Sequence, residues 1–88
     1  MMLMLDRVDR HVALMTRMAE TVEADFAHAL LTGGLTGQEM RSAVLRCSRC
    51  GAEEACAGWL EAQQEAPDGP PAVPDFCANA ELMARLRP

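Results

Sequence analysis

The chain has 88 residues, half of them apolar and 24% charged, with a formal charge of -5. That is the composition of one small globular domain, and it excludes a disordered tail. All eight basic residues are Arg and none is Lys, which argues against nucleic-acid binding through the phosphate backbone and against docking on an anionic membrane.

A chain of this size buries only about 60% of the surface that its unfolded form exposes, so it benefits from a staple. Its apolar residues include seven Met but no Ile and no Tyr. Such a core is adaptable in shape, and the scarcity of β-branched and aromatic residues disfavours an all-β fold. No apolar run approaches the roughly 18 residues of a membrane span. The opening Met1-Met2-Leu3-Met4-Leu5 is too short for a signal peptide, has no basic start and meets Asp6 at once. Export is not indicated, and the expected compartment is the cytoplasm.

Residues 5–31 read as helix. Leu5, Val8, Val12, Met15, Ala19, Val22 and Phe26 recur at steps of three and four, the stripe of a helix facing a core. The segment is either one long helix starting at Leu5 or Asp6, or two helices that bend near Ala24. Thr21-Val22, two β-branched residues in a row, is its weak point. Thr32-Gly33-Gly34 ends it, because glycine takes the left-handed conformation that closes helices.

Thr36-Gly37-Gln38-Glu39 has the form of a capping box. A second helix is expected from there through Arg46, with Met40, Ala43, Val44 and Cys47 turned inward. Cys47-Ser48-Arg49-Cys50-Gly51 makes a tight turn. The following helix starts near Ala52 or Glu53 and runs to about Gln64, with Glu53 and Glu54 at the positive end of its dipole. Cys56, Trp59, Leu60 and Gln63 share one of its faces. Gly58 costs a helix roughly 1 kcal/mol relative to Ala, so a close backbone approach is expected there.

The stretch 67–74 carries four prolines and can be neither helix nor central strand. A last helix covers about 79–87, capped by Asn79 or Asp75, with Leu82, Met83 and Leu86 buried. The predicted fold is all-α: a single domain over 1–88, a compact bundle of four to five short helices. Its parts are the long or bent helix 5–31, a helix-turn-helix over 36–64, the proline-rich loop 67–74 and a C-terminal segment 75–87.

The four cysteines follow the spacing Cys47-x2-Cys50-x5-Cys56-x20-Cys77. They are too sparse for a secreted disulfide scaffold, and in a reducing compartment clustered thiols read as metal ligands or redox groups. Cys47, Cys50 and Cys56 lie around one helix-turn-helix, so a tight turn can bring them to one centre. Cys77 returns across the proline loop, with Phe76 expected to anchor it in the core. Closing that loop is the predicted staple.

Zinc usually takes two Cys-x2–4-Cys knuckles, and only Cys47/Cys50 forms one. A [4Fe–4S] cube is larger and accepts single, scattered cysteines. Arg46 and Arg49 flank the site and can offset the negative charge of a thiolate centre. The helix start after Gly51 aims backbone N–H groups at it. Trp59, Leu60, Phe76 and Leu82 are expected to form an apolar sleeve.

The Cys-x2-Cys-x5-Cys run resembles the last three ligands of the Cys-x6-Cys-x2-Cys-x5-Cys cluster loop of endonuclease-III-like DNA glycosylases. The place of that motif's first cysteine is held by Met40, so Cys77 substitutes for it. None of that family's catalytic residues maps onto the chain, and the activity does not carry over. A broader likeness covers residues 5–87. Leu5-Asp6-Arg7, Met15, the run from Leu35-Thr36 through Glu39, Arg41 and Ala43-Val44-Leu45-Arg46-Cys47 to Cys50, and Cys56-x-x-Trp59-Leu60 together resemble a small bacterial four-cysteine helical family of unknown function. That likeness implies a compact helical domain and no particular ligand.

His11 and His28, the only imidazoles, are assigned to structure or surface. No Ser-His-Asp or Cys-His-Asn set and no phosphate loop is legible, so no catalytic residue is assigned. The expectation is a [4Fe–4S] protein of electron transfer or of redox and oxygen sensing, working with a protein redox or regulatory partner. The alternatives are a zinc-stapled helical adaptor for another protein and a dithiol redox protein built on Cys47 and Cys50.

Overall fold

A computed structural model describes residues 3–65 and 69–87, with side chains from Arg7 onward. Five helices follow one another: α1 (Leu3–Val22), α2 (Phe26–Thr32), α3 (Gly37–Ser48), α4 (Glu53–Glu65) and α5 (Ala80–Arg85). No strand occurs among the described residues, and the fold is all-α. Helix α1 packs along both α3 and α4. The radius of gyration is 12.9 Å, near the ~12 Å of a compact chain of this length.

The bend near Ala24 is a true helix end. Ala24 N–H reaches the Ala19 carbonyl at 2.8 Å and Glu23 N–H reaches that of Glu20 at 3.3 Å. This is the paired closure of a Schellman motif, with Glu23 in the left-handed conformation (φ 61°) that glycine usually supplies. Asp25 then caps α2 by accepting from His28 N–H at 2.9 Å. Gly33 closes α2 with φ 84°, as predicted. The capping box of α3 is complete: Glu39 N–H donates to Thr36 Oγ1 at 3.0 Å, and Thr36 N–H donates to Glu39 Oε1 at 2.9 Å.

The core gathers Met15, Met18, Ala19 and Val22 of α1, Ala43 of α3, Leu60 of α4 and Met83 of α5. Each fully buried Met, Leu or Val contributes about 1.5–3 kcal/mol of apolar burial. The face of α1 is rotated from the predicted stripe. His11 is buried and its Nδ1–H donates to the Arg7 carbonyl, 2.8 Å away, whereas Val12 is exposed. An imidazole bonded to its own helix behaves as a core residue, and apolarity alone did not reveal it. Leu5 belongs to the predicted stripe, but its side chain lies outside the described ones.

Several boundaries shift. Helix α3 runs two residues past Arg46 to Ser48, and α5 is shorter than predicted, Ala80–Arg85 rather than 79–87. Asn79 stands at the cap position of α5 without a capping bond, because its amide is engaged elsewhere. Gly58 does not sit against another backbone: a Cβ there would meet open space. Residues 69–74 of the proline-rich loop form neither helix nor strand; Pro67 and Asp68 lie outside the described residues.

Candidate metal centre

The turn that carries Cys47 and Cys50 is held from three sides. Arg7 of α1 donates from Nε and Nη2 to the Ser48 carbonyl, at 3.1 and 2.9 Å. A guanidinium on the last carbonyl of α3 satisfies an orphan acceptor and complements the helix dipole. Arg49 and Cys50 N–H return to the Arg46 and Cys47 carbonyls, each at 3.2 Å. Gly51 then turns the chain with φ 69°. That turn lets Ala52 N–H donate to Cys50 Sγ at 3.4 Å, just before α4 begins.

The four cysteine side chains line one cavity of about 20 Å³. Cys47 ends α3, Cys50 sits in the turn, Cys56 lies in the first turns of α4, and Cys77 arrives on the segment before α5. The other walls come from Leu14, Met15, Met18, Met83 and Phe76 with small neighbours, and among the described residues no carboxylate or imidazole lines the space. All four thiols are free and half-buried. Cys47 Sγ–H donates to the His11 carbonyl at 3.3 Å.

The donor set suits a soft metal or an iron–sulfur cluster, since it is sulfur throughout. It is not drawn tight. Among the described residues no three Cys, His, Asp or Glu side chains are grouped to hold one metal ion. A tetrahedral zinc with Zn–S bonds of about 2.3 Å needs its sulfurs about 3.8 Å apart. The four cysteines line one common space.

Electrostatics link the thiols. Burial pushes Cys47 up to about 12, and the neighbouring Cys50, Cys77 and Cys56 add to the rise. Cys56 is raised by burial and then by Cys77 and Cys50, with Arg17 pulling it back. Cys77 is raised by burial and by Cys50, against the backbone N–H of Asn79, which favours its thiolate. Four neighbouring thiolates in an apolar pocket repel one another, so their joint ionisation calls for a cation among them.

The flanking residues sort differently from the predicted set. Arg46 directs its Nε to Asn79 Oδ1 at 2.8 Å. Arg49 is exposed at the turn. Arg17 is a cation whose field reaches Cys56. Phe76 does line the cavity but is 37% exposed, so it forms an outer wall and does not anchor Cys77 in the core. Trp59, Leu60 and Leu82 pack in or against the core and do not line the cavity. The sleeve comes from α1 and α5 instead, through Leu14, Met15, Met18 and Met83. Arg7, Arg17 and Asn79 were missed. Only Arg7 left a trace, as it lies one turn before His11 and in line with Met15 and Met18.

No helix among the described residues is long and apolar enough to cross a membrane. Neither a curated protein nor a solved structure matches the chain. A family does, and it spans nearly every residue discussed, including all four cysteines: over residues 2–88 the chain belongs to DUF6455, a family of unknown function.

Proposed function

We propose that Cys47, Cys50, Cys56 and Cys77 hold one [4Fe–4S] cluster and that the chain serves electron transfer or redox and oxygen sensing. The observation that supports this reading is that all four thiols border one apolar cavity lined, among the described residues, by no competing carboxylate or imidazole. A donor set of sulfur throughout is one that iron–sulfur clusters take. When bound, such a cluster supplies reversible one-electron chemistry. The chain's own residues then have defined tasks. The four thiolates bind. Leu14, Met15, Met18 and Met83 exclude water. The N–H groups of Ala52 and Asn79 stabilise charge on sulfur, which raises the potential. Phe76, the large wall residue open to solvent, is the side that yields when the cavity fills. A protein that donates, accepts or reads the electron is the partner this reading requires, and the reducing cytoplasm is the compartment that suits it.

One observation favours a second reading. The space between the thiols is about 20 Å³, enough for one water-sized body. A zinc ion fits there if the thiols close in, which describes a structural zinc site in a helical adaptor. Purification without oxygen, followed by iron, sulfide and zinc analysis and visible absorption, separates the two. Four irons and four sulfides per chain with a broad visible band support the cluster. A colourless protein with one zinc per chain overturns it.

A further inference from the structure

Cys77 reaches the centre differently from the other three. Cys47, Cys50 and Cys56 lie on one continuous helix-turn-helix, whereas Cys77 follows 20 intervening residues. Its own backbone bonds are local: Cys77 N–H to the Pro74 carbonyl at 3.1 Å and Ala80 N–H to the Cys77 carbonyl at 3.0 Å. Neither ties it to α3 or α4.

The buried polar tie between this segment and α3 among the described residues is the side chain of Asn79, which is 2% exposed; the Arg85–Glu39 pair farther along α5 is exposed. Its Nδ2 donates to the Ala43 carbonyl at 2.8 Å. Its Oδ1 accepts from Arg46 Nε at 2.8 Å. Ala43 lies one helical turn before Cys47, so Asn79 is seated on the stretch of helix that presents the first ligand. Asn79 is two residues from Cys77, and both border the cysteine cavity. Had Asn79 served only to start α5, its side chain would bond the first turn of that helix; it makes no such bond.

We infer that Asn79, held by Arg46, is the positioning residue that sets Cys77 against the other three cysteines. This deepens the cluster reading and rests on it for its purpose, though the clamp itself is testable without a cluster. Arg46 then acts through Asn79 and not as a counter-charge to sulfur. Cys77 becomes the ligand whose placement depends on two hydrogen bonds, while the other three depend on the helix-turn-helix.

The test is alkylation mapping with iodoacetamide on the full chain, reduced and metal-free, comparing wild type with Asn79→Ala and Arg46→Ala. Arg46 is exposed, so its variant keeps the fold even where Asn79→Ala does not. The clamp predicts that Cys77 reacts at least about fivefold faster in both variants, the scale of one lost buried hydrogen bond. Cys47, Cys50 and Cys56 keep their wild-type rates. Arg46→Lys, which retains a donor, restores part of the protection. A uniform rise at all four cysteines, or no change in Arg46→Ala, overturns the proposal. Iron and sulfide analysis of the wild type decides the cluster separately. Selective exposure of Cys77 in a chain that binds no iron would leave the clamp standing and remove the cluster; a loaded wild type without that selectivity would do the reverse.

Discussion

At two positions the residue type opposes the local backbone, in opposite senses. Glu23 occupies the left-handed region at φ 61° to close α1, a conformation that costs a residue with a Cβ roughly 1–2 kcal/mol. Gly58 sits inside α4, where a Cβ would meet nothing within 4 Å, so its cost of about 1 kcal/mol relative to Ala is not returned as packing. Glu23→Gly and Gly58→Ala should therefore each raise stability, by about 0.5–1 kcal/mol, read as a higher denaturant midpoint at unchanged slope. They are far apart in sequence and share no hydrogen bond, so the double variant should show the sum. A loss of stability in Gly58→Ala would mean that another surface covers α4 at that point. The cost of Gly58 was legible beforehand but its open surroundings were not, and nothing marked Glu23. A Schellman closure without glycine leaves no mark in the sequence, and a helical glycine looks the same whether it faces a neighbour or solvent.

Helix α3 shows what can be read at the scale of an element. Its start was legible because the capping box is a local code, four residues whose side chains bond their own backbone. Thr36→Ala should cost about 1 kcal/mol in chemical unfolding. Glu39 adds a pH dependence of definite sign. Its carboxyl is held below the usual glutamate value of 4.5, first by the Thr36 backbone N–H and then by Arg85, whose Nη2 stands 3.2 Å from Oε2. A lowered carboxylate pKa stabilises the fold above the unfolded value, and that contribution is lost as pH falls through the folded one. Glu39→Gln keeps the capping geometry without the charge. The two proteins should differ in stability at neutral pH and converge as pH drops below about 4.5, with added salt narrowing the gap because the pair is exposed. The face of α1 was harder to read. Its inward line takes in His11 with Met15, Met18 and Val22, and a search for apolar periodicity passes over an imidazole bonded to its own helix.

Across the whole molecule, the composition and spacing were enough for the helical class, and the spacing put three of the cysteines around one turn. What the sequence could not carry is the long-range polar frame: Arg7 on Ser48 and Asn79 between Ala43 and Arg46 join residues 41, 36 and 33 positions apart, and no periodicity encodes such pairs. That frame encloses the thiols, and their shared burial gives the molecule two pH dependences of opposite sign. In the metal-free chain Cys47 is pushed from 9.0 to about 12, with Cys56 and Cys77 also raised. A thiol whose folded pKa lies above its unfolded value favours the fold fully below about pH 9, and the advantage fades as pH climbs through the folded value. Metal-free protein should thus melt at a steadily lower temperature above pH 9. Loading of the proposed centre would run the other way, because thiolates would be the ligands and each bound sulfur would have to give up its proton. Apparent affinity for a soft divalent probe such as zinc should fall as pH is lowered from 8 to 6, with protons released on binding. Calorimetry in buffers of different ionisation enthalpy counts those protons. Thiols protonated at these pH values give up close to four protons when all four bind one metal, so release of two or fewer per metal would show that the four cysteines do not act as one ligand set, and it would remove the centre on which the functional reading depends.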